Sequence, residues 1–186
     1  VKSLPDSKAR LSWALLFCIV TASVVTLSIN PGWALENRSV DDNRKTTLLT
    51  AALGGASATW AYSGCGFIGS AADGYAAGLY SDRQVIAQMD FLLAVLKKQK
   101  RQLESLDQEV DLGAEDEKFI KQLVQTLDAL ISQGQHLVGY ISTRKQEHLK
   151  GYHQSRVRAW QLTVKVLGLS KSYAEQRAPG GAKLGG

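Results

Sequence analysis

The chain has 186 residues, 45% hydrophobic and 21% charged, with a net charge of +5 and a pI near 9.2. Those values allow one packed domain with extra segments at its ends, and the basic balance favours acidic partners over basic ones. Two cysteines, Cys18 and Cys65, exclude an internal disulfide framework if the segment holding Cys18 is removed.

The first segment has the layout of an export signal. Lys2, Lys8 and Arg10 form a positive start, and Leu11 to Ile29 is an apolar run in which ten of nineteen residues are Leu, Ile, Val or Phe. Asn30, Pro31 and Gly32 break it, and small residues at Gly32 and Ala34 predict cleavage between Ala34 and Leu35. The run is also long enough to span a bilayer, so residues 1–34 read as a signal peptide or an uncleaved membrane anchor. Either role sends the rest of the chain out of the cytoplasm, to the periplasm or cell envelope.

Residues 35–45 are polar and read as a linker. Residues 46–80 are rich in Gly and Ala, and no charge occurs from Thr46 to Ala72. Three readings compete for this stretch. The first is a helix, or helix pair, with a small-residue face, suggested by the four-residue spacings Ala51/Gly55 and Gly74/Gly78, which would let another helix approach closely. In the second, Tyr62 to Cys65 (YSGC) resembles a bacterial lipobox with Cys65 as the lipidated residue; Tyr62 stands where Leu is usual. The third is a flexible, glycine-rich surface segment. Its few large apolar residues make membrane insertion marginal.

From Ser81 the pattern changes to amphipathic helix. Ser81 or Asp82 can cap its N-terminus, and Ile86, Met89, Leu93, Leu96 and Leu103 fall at 3-and-4 spacing, with Lys100 interrupting the seam. Gly113 breaks the pattern, and Glu115, Asp116 and Glu117 open the next helix, where carboxylates favour the positive end of the dipole. Its seam, Ile120, Leu123, Leu127, Leu130, Gly134, Leu137 and Ile141, is the strongest periodicity in the chain. The short connection predicts antiparallel pairing. The following stretch, to about residue 168, either continues this helix with a bend near Gly151, which is the favoured reading, or turns near Gly151 into a third helix. Residues 170–186 are Gly-rich and expected to be disordered. No repeat of solenoid length is visible.

The charges are segregated. Gln102 to Glu117 carries seven carboxylates and no base. Lys97, Lys98, Lys100 and Arg101 form one basic set, and Arg144, Lys145, Lys150, Arg156 and Arg158 a second, both candidates for contact with an anionic membrane surface. His148 and His153 are five apart, which places them on different faces of a helix, and no metal motif, phosphate loop or nucleophile elbow is present. No catalytic, cofactor or metal residues are assigned.

The expectation is an all-α protein: an antiparallel helical hairpin or small helical bundle over residues 81–169, preceded by an N-terminal signal or anchor helix and a Gly/Ala-rich segment. Its expected role is that of an exported, non-enzymatic interaction or structural protein of the cell envelope. The alternative is an integral or lipid-anchored membrane component using residues 46–80 for helix packing or attachment. Expected partners are a second copy through the seam or an anionic membrane; nucleic acid and small-molecule substrates are not expected.

Overall fold

The computed structural model describes residues 40–109, 112–170, 172 and 175. The candidate cleavage site at Ala34 and Leu35, Cys18, and nearly all of the tail lie outside the described residues. The chain divides into two units after Asp42. Of the first, only the helical residues Val40–Asp42 are described, and all that follows concerns the second.

Four helices account for the regular structure among the described residues: α1 (Val40–Ala76), α2 (Asp82–Glu109), α3 (Ala114–Thr143) and α4 (Gln146–Val166). Contacts fix their directions. Lys100 meets Asp128 at one level and Arg144 meets Asp82 at another, so α2 and α3 are antiparallel. Ser132 meets Ser155 at 2.9 Å, and His148 lies over Gly139, so α3 and α4 are antiparallel too. Gly54 faces Phe119, Gly64 faces Leu130, and Ile68 lies by Gly134, so α1 runs parallel to α3. The result is an up-down-up-down helical bundle.

The Gly/Ala-rich segment does not precede this bundle; it is the bundle's first helix. Helix α1 buries Gly54, Ala58, Ala61, Cys65, Ile68 and Ala72, a 4-3-4-3-4 seam made almost entirely of small side chains. Small residues bring α1 close to its neighbours: a Cβ built on Gly64 would sit 3.4 Å from a Leu130 methyl. The residue pairs that suggested the small face are not this seam. Ala51 and Gly55 are exposed, and Gly78 lies past the helix end at φ 69°. Residues 40–45, read as linker, belong to α1.

The α1–α2 connection follows from local chemistry. Gly78 adopts the left-handed conformation that only glycine enters freely, Leu79 N–H donates to the Gly74 carbonyl (2.8 Å), and Gly78 N–H donates to Tyr75 (2.9 Å). Ser81 then caps α2. Its backbone N–H and hydroxyl donate to Gln84 Oε1, and Gln84 N–H donates back to the Ser81 hydroxyl, a reciprocal capping box. Gly113 begins α3, with its carbonyl accepting from Glu117 N–H.

The core is the junction of the expected seams. Met89, Leu93, Leu96 and Leu103 of α2, and Ile120, Leu123, Leu127, Leu130, Leu137 and Ile141 of α3, are buried. Each such side chain contributes roughly 1.5–3 kcal/mol. Ile86 is only half-buried; its neighbour Val85 fills the core position. Lys100 lies at the seam's edge, its ammonium held by Asp128 at 2.7 Å and Glu104 at 3.4 Å.

Helices α3 and α4 are not one long helix. The break falls at Arg144, whose left-handed conformation (φ 59°, ψ 14°) ends α3 while its N–H donates to the Tyr140 carbonyl. Gly151, the expected bend, sits within α4 where it admits the His136 ring. The reason is a short repeat that the hairpin folds on itself: HLVGY at 136–140 and HLKGY at 148–152. His136 lies against Gly151 and His148 against Gly139, with ring centroids 5.8 Å apart.

Candidate functional site: a buried polar cluster and two unequal basic sets

Chemistry-bearing side chains meet inside the bundle where α1, α3 and α4 converge. Cys65 of α1 is 3% exposed, and its Sγ lies 3.5 Å from the Thr163 hydroxyl of α4. Burial pushes the thiol up to about 11, against the opposing influence of the Thr163 hydrogen bond and the Arg156 guanidinium. Tyr152 of α4 is likewise pushed up to about 12, first by burial, with Arg156 and the Gln133 side chain opposing and Asp73 and Cys65 adding to the rise. Both groups are therefore neutral at pH 7, and Cys65 has little thiolate to act as a nucleophile.

Gln133 of α3 is 1% exposed and approaches the Tyr152 hydroxyl closely enough to influence its titration. Neither amide atom of Gln133, nor the buried Trp160 Nε1, completes a hydrogen bond of normal geometry among the described residues. Sequence reasoning missed Gln133, Tyr152 and Thr163. A signal was present for Gln133: Thr126, Leu130, Gln133 and Leu137 continue the 4-3-4 spacing beside the seam. Thr126 solves its own burial by donating to the Gln122 carbonyl at 2.8 Å.

Cys65 sits mid-helix in a continuous α1, with its sulfur turned into the core. Lipidation there would require a chain end at this position. The three histidines are separated: His136 and His148 form the hairpin pair, and His153 stacks edge-on to Tyr152 with its pKa lowered by burial and by Arg156. Among the described residues, no group of three or more potential ligands gathers as a metal site.

The nine candidate surface bases divide sharply. In the second set, Arg144 makes paired bonds to Asp82 (2.7 and 2.9 Å), donates to the Tyr75 hydroxyl, and lies over that ring at 5.3 Å. Arg156 is drawn partly into the interior, and Lys145 has Glu147 at 3.9 Å. Lys150 and Arg158 are exposed but eight residues apart. In the first set Lys100 is paired with Asp128 and Glu104, and the hydrogen bond to Asp128 holds its pKa up. Lys97, Lys98 and Arg101 face solvent together.

The class these features define is a helical bundle with a polar inclusion in its core. Scans against protein-family models, curated proteins and solved structures each find no match.

Proposed function

We propose that this chain is an exported, non-enzymatic structural or interaction module of the cell envelope. The observation that carries the reading is the buried face of α1. Ala61, Ile68 and Ala72 are enclosed by the other helices, so the longest uncharged segment of the described chain is satisfied within the bundle. No helix among the described residues is long and apolar enough to cross a membrane. The basic start and apolar run at Lys2–Ile29 support export. A core thiol and phenol held neutral by burial support a packing role over a reactive one.

Reporters fused after Gly186 test the location. Alkaline phosphatase, active only outside the cytoplasm, should be active in this fusion, and a green fluorescent reporter sent through the same route should be dark. The reverse pattern refutes export.

A second reading draws on the outer face of α1. Ala51, Ala52, Gly55, Ala56, Thr59, Ser63 and Ser70 are exposed and uncharged, a surface on which a membrane component could pack another helix. A carbonate wash separates the two: release supports the exported module, and retention supports the membrane component.

A further inference from the structure

The geometry points to the outer ridge of α2 as a docking surface for an anionic lipid bilayer, with Lys97, Lys98 and Arg101 at the headgroups and Phe91 at the acyl boundary. The inference deepens the envelope reading and rests on it for its biological setting.

The ridge is one face of one helix. Phe91, Ala94, Lys98 and Arg101 follow i, i+3, i+7, i+10, and Lys97 flanks them, so all five project to the same side at about 100° per residue. All five are exposed, Phe91 at 60%. From Phe91 to Leu103 there is no carboxylate in the sequence. Two acids border the ridge: Asp90, about two turns before Lys97, and Glu104, three residues past Arg101. Glu104 is paired with Lys100, so Lys97, Lys98 and Arg101 against Asp90 leave a net charge of +2. Lys100 does not contribute, because Asp128 and Glu104 hold it at the α3 side.

Charge complementarity selects an anionic partner, and Phe91 selects among anionic partners. A phenylalanine and two alanines, Ala87 and Ala94, share the exposed stripe with the cations. An apolar ring beside long, flexible basic stems suits a headgroup layer, where the ring enters the acyl boundary while the ammonium groups remain in water. A polyanion such as polyglutamate offers little to an exposed ring, whereas single-stranded nucleic acid, whose bases can stack on one, is the competing ligand in the test below. The second basic set lacks this form: its members are clasped, half-buried or scattered.

The test uses the full chain with Ala94→Cys and Cys18→Ser, labelled at residue 94 with an environment-sensitive fluorophore. Cys65 stays unlabelled in the folded protein because it is enclosed and holds its proton. The protein is reconstituted into vesicles of phosphatidylcholine alone or with 30% phosphatidylglycerol, so that the N-terminal apolar run is served equally by both. The expected result is a blue shift on the anionic vesicles only. It should be lost at 0.5 M salt, lost in the Lys97→Glu/Lys98→Glu/Arg101→Glu variant, and reduced in Phe91→Ser. It should persist in Lys150→Glu/Arg158→Glu. Circular dichroism of each variant establishes that the bundle is intact; the substituted side chains on α2 and α4 are all exposed.

Equal shifts on both vesicle types overturn the proposal, as does a shift that survives the triple charge reversal. A shift induced by polyglutamate or single-stranded DNA, with none on vesicles, assigns the ridge to a soluble polyanion and also overturns it. Failure of the export reading appears separately, in the reporter fusions, whatever the vesicles show.

Discussion

His136 and His148 exchange places across the α3–α4 hairpin, each ring occupying the space that a side chain on the opposite helix's glycine would need. A Cβ on Gly139 would lie 2.6 Å from His148 Nδ1, and one on Gly151 would overlap the His136 ring. The pairing is reciprocal because HLVGY and HLKGY meet in opposite directions. Gly151→Ala should therefore destabilise by about 1–3 kcal/mol, the range for overpacking, although alanine is the better helix former. His136→Ala in the same chain should recover most of that loss, since the ring is what the methyl meets. Urea denaturation of the two single variants and the double variant measures the coupling; additive effects would break the link between these residues.

How much of this was legible beforehand depended on side-chain size. The α2 and α3 seams could be read because Leu, Ile and Met at 3-and-4 spacing stand out from Lys, Gln and Glu. The α1 seam has the same period, but Gly54, Ala58, Ala61, Cys65 and Ala72 differ little from the exposed Ala, Ser and Gly beside them. Hydropathy is therefore nearly flat around that helix. The α3–α4 break was hidden for another reason. Arg144 lacks the glycine or proline signature of a helix end, while Gly151 had that signature and lies within a helix. The readable clue was the HLxGY repeat, which is self-complementary when two helices are antiparallel. The inward turn of Lys100 and the clasping of Arg144 depend on Asp128 and Asp82, partners distant in sequence, so no local pattern distinguished them from Lys97, Lys98 and Arg101.

Adjacent glycines on α1 provide a sharp test of which face enters the bundle. A Cβ on Gly55 meets nothing within 4 Å, whereas one on Gly54 would run into the Phe119 ring. Gly55→Ala should stabilise by about 0.5–1 kcal/mol through helix propensity alone. Gly54→Ala should destabilise by about 1 kcal/mol or more, because the half-buried Phe119 must move. Thermal melts of the two variants should shift in opposite directions. Shifts of the same sign would mean that α1 is rotated from the orientation described.

Alkaline pH should weaken the fold through Cys65. The folded thiol holds its proton up to about pH 11, whereas an ordinary thiol releases it near 9. Between those values the unfolded chain binds fewer protons than the folded one, so stability falls as pH rises. The thiol's contribution is fully present below pH 9 and declines to a constant lower level above 11. At pH 10.5 the loss is about 2 kcal/mol relative to pH 8. Tyr152, pushed up to about 12, adds a further decline that begins near pH 10. Cys65→Ser removes only the thiol's share. Its stability relative to the parent should therefore improve by about 2 kcal/mol from pH 8 to pH 10.5, measured by urea titration. A difference between the two proteins that does not change with pH would place the sulfur in contact with water.

Arg144 sets two effects against each other, and two substitutions separate them. Its left-handed backbone costs an L-residue roughly 1–2 kcal/mol. Its bonds to Asp82 are exposed, and such pairs contribute about 0–1 kcal/mol even when well formed. Arg144→Ala loses the ion pair and keeps the strained backbone. Arg144→Gly loses the same ion pair and relieves the strain, although glycine also gives the unfolded chain more conformational freedom. The glycine variant should therefore be the more stable of the two by about 1 kcal/mol, and within about 1 kcal/mol of the parent. Chemical denaturation of all three proteins at low and high salt provides the comparison: salt should weaken the parent relative to both variants and leave the gap between alanine and glycine unchanged. An alanine variant as stable as the glycine variant would mean that the chain reverses at Arg144 without entering the left-handed region.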